Sequence, residues 1–195
     1  LRKLTYFIAC SLDGFIGDEQ GDASEMMLRF MDEEYLHFLK TEFPETLPSH
    51  VRPQLGFDAL PNVRFDTVIQ GRASYDLALK EGVTSPYAHL REYVASRSLA
   101  TSPDPNVEII ADDLVGRVRA LKAEEGGLDI YLCGGSRLAG ELLDEIDELV
   151  IKSYPLVYGT GMPMFGTGLD IKEFTLDGVR SFTNGALVRT YTRKR

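Results

Sequence analysis

The stretch DIYLCGGSRLAGELLDEIDELVI, residues 129–151, runs an apolar strand into a double glycine and then into an amphipathic helix. Gly134 and Gly135 lack a β-carbon, so the chain can turn through angles closed to other residues and bring its backbone close to a ligand. The free N–H groups and positive dipole end of the helix that follows attract anions such as a pyrophosphate. Ser136 is predicted as the helix N-cap, and Leu138, Leu142 and Ile146 recur at four-residue spacing, a stripe able to pack on a sheet. Leu149 to Val157 is expected to return as a strand. Nucleotide binding is the first functional reading of this strand, glycine, helix unit.

Similar units lie on the N-terminal side. Residues 4–12 read as a buried strand, interrupted at Asp13-Gly14 before Phe15-Ile16-Gly17. From Ser24 to Lys40, the spacing of Met27, Met31, Tyr35 and Phe38 predicts one helix. Residues 44–62 hold Pro44, Pro48, Pro53 and Pro61 and are expected to be an irregular excursion of the kind that often covers a site. Phe65 to Ile69 is a short strand, and GRASYDLALKEG (71–82) a turn opening a helix that ends at Gly82. Tyr93 to Ala95 and Val107 to Ala111 are further strands. Asp112 or Asp113 caps a helix carrying Leu114, Val118 and Leu121, ended by Gly126-Gly127. At the C-terminus, residues 179–183 and 186–192 flank Asn184-Gly185, the pair suited to a type I′ hairpin turn. The order predicts an α/β fold in three layers: a mixed, mainly parallel sheet with helices on both faces and a C-terminal antiparallel β-hairpin.

The 195 residues suffice for one core, and a single domain over 1–195 is expected. With 44% hydrophobic and 26% charged residues the chain reads as a folded globular protein. A net charge of −9 removes the electrostatic basis for nucleic-acid binding, so a small anionic ligand needs a local basic pocket. No apolar run reaches membrane-spanning length, and LTYFIACSL is poorly flanked for a signal peptide, so no membrane partner and a cytoplasmic location are expected. Cys10 and Cys133 sit in apolar runs as small buried hydrophobes. His37, His50 and His89 are scattered, and without a zinc cluster no metal is expected. The Rossmann glycine pattern, Walker A, the Tyr-Lys pair of short-chain dehydrogenases and Gly-x-Ser-x-Gly are all absent.

Two clusters join charge to hydroxyls. Gly71-Arg72-Ala73-Ser74 opens a second helix, and Ser96-Arg97-Ser98 follows a short strand; each could hold phosphate or be a turn with a solvated arginine. Asp13 stands at the end of the first strand, as a turn residue or as a catalytic or substrate-binding carboxylate. Ligands of open α/β sheets bind beyond the carboxyl ends of the strands, where all of these fall. The acidic runs Asp32 to Glu34 and Asp144 to Glu148 read as solvated helix faces.

IACSLDGFIG (8–17), VIQGRASYDLAL (68–79), VASRSLA (94–100), IYLCGGSRLAGELL (130–143) and IDELVIKSYPLVYGTGMPMF (146–165), in that order, resemble the dihydrofolate reductase superfamily. Ser11 to Gly14 and Pro155 to Phe165 are most similar to the reductase (RibD C-terminal) domain of bifunctional riboflavin-biosynthesis deaminase-reductases. The resemblance implies a dihydrofolate reductase-like fold, NADPH as cofactor, a small-molecule substrate and a homodimer. It implies that Gly71, Arg72, Ser74, Ser96 and Arg97 bind the 2′-phosphate and pyrophosphate. Gly134, Gly135, Ser136, Arg137 and Leu138 would line the pyrophosphate and nicotinamide side, with a cis peptide common at the glycine pair. Ala9 and Ile16 would contact the nicotinamide end, and Asp13 would bind substrate or deliver a proton. The implied activity is hydride transfer to a C=O or C=N bond of a pterin or ribosylaminopyrimidine, as in 5-amino-6-(5-phosphoribosylamino)uracil reductase. True dihydrofolate reductase activity and a non-catalytic NADP(H)-binding regulator are the alternatives. The chain has no Trp, no acid in a recognisable folate-site helix, and Ala139 where dihydrofolate reductase carries a tyrosine.

Overall fold

The first strand is apolar on both sides because both sides are covered. In the computed structural model, which describes residues 1–195, β1 (Leu4–Cys10) lies in the middle of an eight-stranded sheet. The other strands of that sheet are β3 (Phe65–Gly71), β4 (Arg91–Ala95), β5 (Val107–Ile110), β6 (Asp129–Gly134), β7 (Glu148–Ser153), β9 (Phe174–Ser181) and β10 (Leu187–Arg193). Their order is β5-β4-β3-β6-β1-β7-β10-β9. The first six run parallel, and β10 and β9 add antiparallel at one edge. Buried parallel strands read as continuous hydrophobic runs, which is why β1, β6 and β7 show no alternation.

The two faces are separate cores. Phe7, Val68, Tyr131 and Val150 face α2 (Glu33–Glu42) and the Pro-rich excursion, against Tyr35, Phe38, Phe43, Leu47 and Phe57. Tyr6, Ile69, Leu132 and Ile151 face α4 (Leu114–Ala123) and α5 (Ser136–Glu141), against Val118, Leu121, Leu138 and Leu142. Adjacent residues of β1 serve opposite cores, as the period of two requires. A third, small cluster seats α3 (Arg72–Lys80) through Tyr75 on Val94 and Val107. No helix is long and apolar enough to cross a membrane.

Several local expectations need correction. The helix expected over 24–40 is two, α1 (Ser24–Arg29) and α2, because the Asp32 carboxylate accepts the Tyr35 N–H at 3.0 Å and starts a new helix. Ser136 is the first residue of α5 rather than its cap; extended Gly135 takes that place, with no side-chain cap. The strand expected to reach Val157 ends at Ser153. At the hairpin Gly185 alone has positive φ, +91°, while Asn184 does not. With Gly185 N–H bonded to Phe182 C=O and Phe182 N–H to Ala186 C=O, the turn is a type I turn with a glycine bulge, not type I′.

The excursion at 44–62 is irregular, as expected, apart from 3₁₀ turns at Pro44–Thr46 and Pro53–Leu55, and it carries its own buried charges. Glu45 accepts the backbone N–H groups of Val63, Arg64 and Phe65 at 3.2, 2.6 and 2.5 Å, and Arg52 donates to the carbonyls of Pro44, Phe57 and Leu60. These bonds replace the missing helix and sheet ladders.

Candidate active site

Parallel pairing gathers the carboxyl ends of β1, β3, β4 and β6 on one edge, where the chain leaves at Ser11, Arg72, Ser96 and Gly135. The centre of that edge is made of glycine. A β-carbon on Gly71 would lie 3.5 Å from both Gly134 O and Gly135 N. Gly134 has φ of +108°, and its peptide bond to Gly135 is cis. Around Gly135, a β-carbon would meet Met162 Sδ at 3.6 Å and Ser74 Oγ at 4.0 Å. These are ordinary van der Waals distances, so backbone meets backbone where α3 and α5 begin, with no β-carbon between them. Neither helix has a side-chain N-cap, which leaves their first N–H groups for a ligand.

The basic clusters stand at the rim. Arg72 donates to Asp76 at 2.7 Å and, across to the loop after β4, to Ser98 Oγ at 3.3 Å. Ser96, nearly buried, accepts the N–H groups of Ser98 and Leu99 and lies 3.4 Å from Ser98 Oγ, and so shapes that loop. Arg97 is 78% exposed and reaches Glu141 at the end of α5. Exposed ion pairs of this kind contribute little, so a phosphate can displace Asp76 and Glu141 without large loss. Arg137 is exposed at the start of α5, whereas Leu138 is buried in the core beneath it. Ser136 is buried too; its carbonyl accepts Gly166 N–H at 2.8 Å, which binds α5 to the 159–168 segment.

A two-stranded ribbon closes one side. β2 (Phe15–Gly17) pairs antiparallel with β8 (Met162–Pro163), placing Met162 on Gly135, and Tyr6 Oη anchors the same segment on Met164 C=O at 2.8 Å. Ile16 is buried here, among Leu138 and Met162. Ala9 is buried on the opposite face with Phe7, so the two residues expected at the nicotinamide end belong to different cores.

Asp13 is a loop clamp. Its carboxylate accepts the Ser11 hydroxyl at 2.7 Å and the backbone N–H groups of Tyr158 and Gly159 at 3.1 and 2.8 Å. The Ser11 bond first, then the Tyr158 N–H, hold it down to about 2. At neutral pH the carboxylate is therefore ionised and acts as an acceptor for these three donors.

Two further groups stand near this edge without a motif to mark them. Lys152 on β7 is 7% exposed, and burial pushes its ammonium down to about 8. Its only advance signal was a single lysine in an apolar strand. Tyr158 carries a buried hydroxyl with no hydrogen-bond partner.

The profile of the RibD C-terminal domain matches residues 2–188. The chain belongs to that family. The uncharacterized protein YwjB of Bacillus subtilis (strain 168) is 29% identical over 185 residues, covering 93% of this chain and 92% of YwjB. Among solved structures, a Shewanella sp. PV-4 protein provisionally assigned to riboflavin biosynthesis superposes with TM-score 0.69 at 24% identity, covering both chains completely. Dihydrofolate reductase from Enterococcus faecalis, complexed with NADP(H), superposes at 0.63 with 15% identity over 99% of this chain and 97% of its own. These superpositions establish the dihydrofolate reductase-like fold for this RibD C-terminal domain protein.

Proposed function

We propose that the protein is an NADPH-dependent reductase acting on a C=O or C=N bond of a small heterocycle of the pterin or ribosylaminopyrimidine type. The observation that carries this reading is the corner of Gly71, Gly134 and Gly135 between two uncapped helix starts, flanked by Arg72, Ser74, Ser96 and Arg97. Family membership and the NADP(H) complex of the Enterococcus faecalis enzyme support it.

Arg72 and Arg97 are assigned to the ribose 2′-phosphate, with the Ser74 and Ser96 hydroxyls and the Gly71 turn on the neighbouring phosphates. Gly134, Gly135 and Ser136 admit the pyrophosphate to the helix start; Arg137 faces it from outside and Leu138 supports it from the core. Ala9 and Ile16 are assigned to the nicotinamide end. When bound, NADPH supplies the hydride. The protein holds the reacting carbons together, and Asp13 fixes the 158–159 loop beside them.

The test follows loss of NADPH absorbance with a panel of pterins and ribosylaminopyrimidines. Oxidation with a member of either class is the expected result. Binding of NADPH with no turnover across both classes would overturn the catalytic reading and favour a nucleotide-binding regulator.

A further inference from the structure

The geometry points to Lys152 as the substrate-side cation of this cleft: its ammonium meets one electron-rich oxygen or nitrogen of a planar heterocycle and protonates that atom as the adjoining carbon is reduced. The inference rests on the reductase reading and adds the group that faces the acceptor.

Lys152 stands opposite Ala9 in the register of β7 on β1. Its Nζ lies 4.2 Å from the centroid of the Phe7 ring, on the face shared by Ala9 and Tyr131, with Cys133 half-buried alongside. No carboxylate or hydrogen-bond acceptor of the protein engages it. The other three buried cations are all compensated: Lys122 by Asp147 at 2.8 Å and the Glu145 carbonyl, Arg2 by Asp66 and Glu124, Arg52 by three carbonyls. Lys152 has only the Phe7 ring as its partner and keeps its N–H donors free, so a ligand can supply the acceptor that the protein does not. The Cys133 and Cys10 thiols are the titratable groups that act on it.

The surroundings define the ligand class. Aromatic and thiol walls suit a flat ring, and a single cation suits one carbonyl oxygen or one negative charge. A phosphate dianion would call for a second cation on this face. Arg189 pairs in register with Ile151 and projects to the other core, and Arg180, on the Lys152 face through Val188, is already paired with Glu42 at 2.6 Å.

In the step itself, hydride addition breaks the C=O or C=N π bond and leaves its electron pair on oxygen or nitrogen. One N–H bond of the Lys152 ammonium breaks, its proton goes to that atom, and the neutral amine takes a proton from water. The two electrons come from the reduced nicotinamide.

The test titrates lumazine, a planar pteridinedione, against the NADPH-loaded wild type and Lys152→Met, with NADPH affinity measured separately. Expected are lumazine affinity lower by about tenfold or more in K152M, NADPH affinity unchanged, and a melting temperature not below wild type. In wild type labelled with carbon-13 at lysine Cε, the Lys152 resonance moves on adding lumazine, a readout that needs no variant to fold. Equal lumazine affinity in the two proteins, no lumazine binding to wild type, an unmoved resonance or a lowered melting temperature overturns the inference while the cofactor reading stands. Absence of NADPH binding by wild type overturns both.

Discussion

Asp13 and Lys152 show how one cleft edge uses charge in opposite ways. Asp13 is exposed, yet three donors converge on it, and its folded-state value is depressed. Such a carboxylate stabilises its loop above the ordinary Asp range, and that contribution disappears only as pH falls through about 2. Asp13→Asn turns an amide N–H toward one of the backbone N–H groups now accepted, so kcat/KM is expected to fall by about tenfold, with NADPH affinity little changed. Steady-state kinetics beside a cofactor titration check this, and a matched loss of cofactor binding would contradict it. Lys152 carries the reverse burden. Its depressed value means that below about 8 both folded and unfolded chains hold the proton and the folded one bears the whole penalty; above it, stability recovers toward the unfolded lysine value. The stabilisation of K152M over wild type therefore shrinks as pH rises past 8. The sequence placed Asp13 at the edge of the sheet beside Ser11, but its two backbone partners are 145 and 146 residues away and no local pattern announces them. Lys152 was hidden for a different reason, since one residue in an apolar strand has no periodicity to break.

Among elements, the strand, glycine, helix units were legible because hydrophobic run, turn glycine and helical stripe agree with one another. The α1–α2 break was not, because Met27, Met31, Tyr35 and Phe38 keep helical spacing across it and all four pack on the same core. The deciding interaction is one side chain, the Asp32 cap on Tyr35 N–H. Asp32→Ala is expected to cost about 1 kcal/mol and to lower the melting temperature by about 2–4 °C. Thermal unfolding followed by circular dichroism measures it, with NADPH affinity unchanged. The ends of α5 and β7 were misread by similar small margins: Ser136 is a good cap by composition, but the extended Gly135 already starts the helix. In the hairpin, Asn-Gly marked the turn correctly while the bulge chose its type. Two-residue elements such as β8 carry no sequence signal of their own, which is why the ribbon over Gly135 appears only in three dimensions.

At the scale of the molecule, alternating strands and helices implied a mainly parallel sheet, but the strand order depends on which crossovers pack, and that was not written in any one segment. The order matters because it puts β3 next to β6, and so Gly71 against Gly134-Gly135, and β4 next to β3, which brings Ser98 within reach of Arg72. In a chain of net charge −9, Arg72 and Arg97, paired with the exposed Asp76 and Glu141, are the cations proposed for a small anionic ligand. The direct measurement is a titration of NADPH and NADH against the wild type and an Arg72→Ala, Arg97→Ala double variant. Expected are a wild-type preference for NADPH of about tenfold or more, and a double variant whose NADPH affinity drops to that for NADH while NADH binding is unchanged. No binding of either dinucleotide by wild type, or an equal loss of both in the variant, would contradict it.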